Sequence, residues 1–187
     1  MKILMPLAEG FEEIEAITVI DILRRADIEV VVAGLKDGLV EGAHKVKVQT
    51  DVGLDRIDPS KFDGLVLPGG FPGYVNLERD DRVLNMAKQM SAAGKYIAAI
   101  CCAPSVLIKA GILEGKRATV SPSGKALVAA CAKYSDERVV VDGKLVTSQS
   151  PGTAMEFALT LVKVLAGGEK MKQIKQQTLA IWKEDYE

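Results

Sequence analysis

The chain has 187 residues, 24 Lys and Arg against 25 Asp and Glu, and a mean hydropathy of +0.14. That length accommodates one full domain with a sizeable core, and the balanced charge gives no electrostatic case for nucleic acid or an anionic membrane surface as partner. No apolar run reaches transmembrane length, and three cysteines (two adjacent) with a single histidine fit neither a disulfide framework nor a zinc site, so no metal is expected.

Met1-Lys2 leads into a strand over 3–8 without a signal-peptide pattern, and with the free cysteines this points to a reducing cytoplasm. Residues 9–11 turn, and 12–26 form a helix whose first turn is acidic, where the helix dipole favours carboxylates. A Val-rich strand over 28–34 follows, then a turn at Asp37-Gly38 and a more exposed strand over 46–49. The third buried strand, 63–67, ends in Pro68-Gly69-Gly70-Phe71-Pro72-Gly73, and a helix over 79–92 is stopped by Gly94. Residues 95–100 are almost wholly apolar, as in a strand buried on both faces, and Ala103-Pro104 opens the next helix with Pro near its first position.

Beyond turns at Gly111 and Gly115, the pattern predicts a strand over 117–120 and a small-residue helix over 123–132. A hairpin of 138–141 and 145–148 turns at Asp142-Gly143. Pro151-Gly152-Thr153 leads into an amphipathic helix to about Ala166, and a polar helix with Lys170, Lys172 and Lys175 on a solvated face ends the chain. There is no repeat, linker or low-complexity segment. Alternating strands and helices predict a single domain over 1–187, of α/β class: a three-layer α/β/α sandwich around a mostly parallel sheet. Sites in such sheets lie at the carboxyl ends of strands, and Glu12–Glu15, Gly69–Gly73, Cys101 and Ser121 all follow strands.

Cys101 falls in a strand-to-helix turn flanked by Ala99 and Ala103, the shape of a nucleophile elbow with Cys for Ser. A helix N-terminus beside a thiol favours the thiolate; taken alone, the same cysteine reads equally well as a buried structural thiol. Cys101 is therefore expected to be the low-pKa thiol, with Cys102 pointing elsewhere and Cys131 structural. Glu15 shares an otherwise apolar helical row with Val19, Ile22 and Ala26, so its carboxyl is expected to be partly buried and its pKa raised. Glu12 and Glu13 read as dipole-stabilising charges. Gly69-Gly70 lets backbone approach a ligand, though its spacing is not the dinucleotide fingerprint, and a plain tight turn explains it as well. His44, the only histidine, reads as a surface side chain on a short polar strand.

Five pieces together resemble the ThiJ/PfpI superfamily, specifically its DJ-one (Parkinson disease protein) branch. They are Gly10-Phe11-Glu12-Glu13-Ile14-Glu15, Asp21-Ile22-Leu23-Arg24-Arg25-Ala26, Leu67-Pro68-Gly69-Gly70, Ala98-Ala99-Ile100-Cys101 and Thr147-Ser148-Gln149-Ser150-Pro151-Gly152-Thr153, in family order over nearly the whole chain. The resemblance implies a flavodoxin-like sandwich and a homodimer. It implies a reactive Cys101 hydrogen-bonded by Glu15, oxyanion-hole N–H groups from Gly70 and Cys102 beside Gly69, and Ser121, His44 and Arg25 as accessory candidates. The activities it implies are cofactor-free conversion of glyoxal or methylglyoxal to hydroxy acids, or deglycation. Peroxide sensing and chaperone action through Cys101 are the alternative, and peptidase action ranks last. Two departures stand out: Cys102 occupies the place where proteolytic relatives carry His, and Ser121-Pro122 the place where the branch often has His before Pro.

Overall fold

The computed structural model describes residues 1–180. In chain order the elements are β1 (Lys2–Leu7), α1 (Glu13–Arg25), β2 (Glu29–Gly34), β3 (Leu39–Glu41), β4 (Lys47–Gln49) and β5 (Val52–Gly53). There follow β6 (Gly64–Leu67), α2 (Gly73–Arg79), α3 (Asp81–Ala92), β7 (Tyr96–Ile100), α4 (Pro104–Lys109), β8 (Arg117–Ala118) and α5 (Lys125–Ala129). The last are β9 (Lys133–Tyr134), β10 (Val139–Asp142), β11 (Leu145–Ser148), α6 (Ala154–Ala166) and α7 (Gly168–Gln177). The main sheet runs β10-β11-β7-β6-β1-β2-β5, every neighbouring pair parallel except β10 with β11.

Both faces of this sheet are covered, which is why its central strands read as continuous apolar runs. Successive side chains point to opposite faces, so Ile3, Met5, Val66, Ala98 and Ile100 pack with α1, α6 and α7. Leu4, Leu65, Leu67, Ile97 and Ala99 pack instead with α2, α3, α4 and α5. The result is the predicted three-layer α/β/α sandwich. None of the helices among the described residues is long and apolar enough to cross a membrane.

Four expectations need correction. The helix expected over 79–92 is α3, which starts at Asp81 after an unanticipated α2, because Asp80 adopts an extended conformation and its side chain caps α3 by accepting from Arg82 N–H at 3.0 Å. The strand expected over 117–120 stops at Ala118 and pairs with β9 outside the main sheet. Its next donors leave the ladder: Thr119 N–H goes to Thr147 Oγ1 at 2.9 Å and Ser121 N–H to the Cys101 carbonyl at 3.0 Å. The helix expected over 123–132 is a 3-10 turn at Pro122–Gly124 followed by the short α5. Finally, the strand expected over 46–49 is β4 of an antiparallel hairpin whose first strand, β3, went unanticipated. His44 sits in the turn of that hairpin rather than on a strand.

Candidate active site

The turn from β7 into α4 places Cys101 with φ of +63°, a left-handed conformation that non-glycine residues seldom adopt. Two backbone bonds fix it: Cys101 N–H donates to Ser148 O at 3.0 Å, and the Cys101 carbonyl accepts from Ser121 N–H at 3.0 Å. The thiol is half-buried and stands against the carboxyl of Glu15 and the thiol of Cys102.

Glu15 comes from the first turn of α1. Glu12 caps that helix, its side chain accepting from Glu15 N–H at 2.8 Å, and so fixes the rotation that turns Glu15 inward. The apolar row read from the sequence is buried in full, and Glu15 has 0% exposure. Its Oε2 accepts from Gly69 N–H at 2.7 Å, while Oε1 is buried with no partner among the described residues. Burial pushes the carboxyl up to about 7; the Gly69 and Cys101 hydrogen bonds pull the other way, and the Glu12 charge adds to the rise.

Gly69 makes room for this pair. A Cβ there would lie 2.6 Å from Cys101 Cβ and 2.8 Å from Glu15 Oε2. Its N–H is committed to Glu15, so Gly69, named beside the oxyanion-hole donors, serves the carboxyl instead. Gly70 has φ of +93°, and any Cβ would meet the backbone of Phe11 and Glu12 within 2.4 Å. The N–H groups of Gly70 and Cys102 have no hydrogen-bond partner among the described residues. Two unspent donors beside a thiol can accept developing negative charge on oxygen.

Cys102 departs most from the sequence reading, which gave it a backbone role only. Its Sγ faces the loop after β8, 3.1 Å from Ser121 Oγ and 3.6 Å from Ser123 Oγ, with the two hydroxyls 2.9 Å apart. The hydrogen bond from the Cys101 thiol lowers the Cys102 pKa to about 5, and the serine hydroxyls assist against the effect of burial. The adjacent Cys102 sulfur, desolvation and the Glu15 charge push the Cys101 thiol up. The two adjacent thiols therefore titrate as one coupled unit together with the Glu15 carboxyl. The contact with the Ser121 hydroxyl, 19 residues away, is invisible in local sequence.

Ser121 therefore reaches the site through Cys102. His44 does not touch the thiols: its Nδ1 pairs with Glu13 Oε2 at 2.9 Å, and Glu13 Oε1 accepts His44 N–H at 2.6 Å. Glu13 is accordingly a buried anchor for the β3–β4 hairpin rather than a solvated dipole charge. Burial works to raise its pKa, but the His44 hydrogen bonds win and hold it below the usual carboxylate range. Arg25 lies in the last turn of α1, about 15 Å along the helix from Glu15, and pairs with Asp21 at 2.8 Å. It takes no part in this cluster. Cys131 points its thiol at the Leu127 and Val128 carbonyls, 3.7 and 3.6 Å away. A cavity of about 490 Å³ borders the β1–α1 loop at Ala8 and Glu9 but holds none of these groups.

A doubly covered parallel sheet with a left-handed cysteine elbow and a buried carboxyl at its strand ends defines a flavodoxin-like α/β protein with a thiol site. The chain belongs to the DJ-1/PfpI family, whose model matches residues 1–164. It is 43% identical to protein DJ-1 homolog B of Arabidopsis thaliana over 92% of this chain, although it spans only 40% of that protein's length. The crystal structure of Drosophila melanogaster DJ-1beta superposes with a TM-score of 0.94 at 40% identity, covering 97% of this chain and 98% of the other. A deglycase of Pyrococcus abyssi is 38% identical over 88% of this chain and 99% of its own.

Proposed function

We propose that this protein is a cofactor-independent, cysteine-dependent enzyme of the glyoxalase or deglycase type acting on small dicarbonyls such as methylglyoxal and glyoxal. The observation that carries the reading is the buried Glu15 carboxyl, with a pKa of about 7, set against the Cys101 thiol. A base whose pKa lies near the operating pH is half ionised there and can both take and return a proton. The deglycase name of the Pyrococcus relative supports the same substrate class.

In this reading the Cys101 sulfur attacks the aldehyde carbon, and the thiol proton passes by way of the Glu15 carboxylate to the aldehyde oxygen, giving a hemithioacetal and leaving Glu15 ionised. The hemithioacetal oxygen is held by the Gly70 and Cys102 N–H groups. Glu15 then takes the proton from the former aldehyde carbon, giving an enediol as the neighbouring carbonyl oxygen is protonated, and returns it to the neighbouring carbon while the first carbon's hydroxyl proton is released, leaving a thioester. Water hydrolyses the thioester, releases the 2-hydroxy acid and restores the thiol. No imidazole adjoins the thiols among the described residues, so Glu15 carries the proton transfers, and the same lack disfavours peptidase chemistry.

The test is lactate formation from methylglyoxal. Turnover is expected to be measurable in the native chain and lost in Cys101→Ser and in Glu15→Gln. Consumption that persists in Cys101→Ser would refute the enzyme reading. Homodimer formation belongs to the same proposal. It is supported by Ile14 and Ile17 of α1 and by Leu39 and Val46 at the β3–β4 hairpin, all large apolar side chains left exposed.

A further inference from the structure

We propose that Phe71 and Tyr74 form an aromatic lip beside the thiols, and that the lip selects ligands with an aromatic ring next to the carbon the sulfur attacks: arylglyoxals before alkylglyoxals. That the ligand is a dicarbonyl rests on the enzyme reading above; that it carries a ring does not.

Phe71 is the exception among the four phenylalanines, 72% exposed where the other three are buried. A lone exposed apolar side chain on a loose loop needs no explanation, but this turn is tied at three points. Glu12 N–H donates to Gly69 O at 3.0 Å, Gly73 N–H to Gly10 O at 3.1 Å and Tyr74 N–H to Gly70 O at 2.9 Å. The exposure of the ring is thus built into the backbone. The same turn abuts the elbow, since a Cβ on Gly69 would stand 2.6 Å from Cys101 Cβ. An oxygen held at the Gly70 N–H therefore puts the rest of the ligand beside the residue that follows, Phe71.

Tyr74 continues this surface. Its ring centroid lies 6.4 Å from that of Phe71 with the planes tilted by 54°, within the range over which aromatic rings attract. Tyr74 and Glu78 are four residues apart on α2 and share a face of that helix. This face is turned to the elbow, because Glu78 Oε2 accepts the Ser105 hydroxyl, in the first turn of α4, at 2.9 Å. In keeping with that placement, burial and then the charges of Cys102, Glu78 and Cys101 raise the Tyr74 pKa. Lysine ammonium groups lie over the rings of Phe62, Tyr96 and Tyr134, whereas among the described residues none covers Phe71 or Tyr74. A neutral ring can stack on such a lip, and a methyl group gains much less from it.

The experiment has two arms. In the first, alkylation of the peptide that carries Cys101 and Cys102 is timed with 2-iodo-N-phenylacetamide and with iodoacetamide, and the ratio of rates is compared with that for glutathione. The native ratio is expected to exceed the glutathione ratio by about two- to tenfold, the range an aromatic pair is worth. It should fall to the glutathione ratio in Phe71→Ala, fall part-way in Tyr74→Leu and recover in Phe71→Tyr. A native ratio equal to that of glutathione would overturn the proposal. So would a raised ratio that Phe71→Ala leaves unchanged; a shift toward monomer in that variant would then mark Phe71 as a contact between copies. In the second arm, mandelate from phenylglyoxal and lactate from methylglyoxal give two values of kcat/KM, whose ratio should fall in Phe71→Ala by the same factor. A turnover ratio that holds in Phe71→Ala would also overturn the proposal. Absence of both products refutes the enzyme reading alone, and the alkylation ratios still decide the lip.

Discussion

Glu15→Gln isolates the energetic cost of the buried carboxyl. The native fold raises this group from 4.5 to about 7, so the folded state holds a proton that the unfolded chain releases near pH 4.5. Its contribution to stability is therefore fully present below pH 4.5 and is lost as pH rises through 7. At about 1.4 kcal/mol per tenfold change in proton affinity, the loss is about 3 kcal/mol. Glutamine keeps an oxygen for the Gly69 N–H and does not titrate. Urea unfolding of both proteins at pH 4.5, 5.5, 6.5 and 7.5 should then show the native chain losing about 3 kcal/mol relative to the variant across the series, with no further change above pH 8. A difference between the two that stays level with pH would mean that Glu15 ionises as an ordinary carboxyl. The basis for assigning it the proton transfers would then be gone.

Gly69→Ala would push a methyl group into Cys101 Cβ and Glu15 Oε2, and should cost about 1–3 kcal/mol in urea unfolding while removing methylglyoxal turnover. The His44 imidazole, hydrogen-bonded to the Glu13 carboxylate and in its field, should titrate above 6.5 by NMR and fall back toward that value in Glu13→Gln. His44→Ala should leave turnover unchanged in the monomer, since His44 reaches Glu13 and neither thiol.

What was legible in the sequence was whatever periodicity controls. The row Glu15, Val19, Ile22, Ala26 announced its own burial, and the apolar strands 63–67 and 95–100 announced a sheet covered on both faces. Elements set by long-range contacts were not legible. The break between α2 and α3 depends on one aspartate choosing to cap, and the early end of β8 depends on Thr119 and Ser121 finding partners on β11 and in the elbow. The same loop explains why the surroundings of the Cys102 sulfur were not legible. Neighbouring residues say that it follows Cys101, but only the fold brings two serine hydroxyls to its sulfur.

The ends of the main sheet bear on how the native protein behaves when crowded. Its two outermost strands are β5, of two residues, and β10, of four. A foreign strand docking on either would find few unpaired amides and carbonyls in line, and at β10 the Asp142 side chain already accepts the Arg117 N–H at 2.8 Å. Strand-by-strand growth of one folded molecule on another is thus poorly templated. Fibrillar aggregation of this chain should track the population of unfolded molecules rather than the concentration of folded ones, and conditions that stabilise the fold should suppress it in proportion.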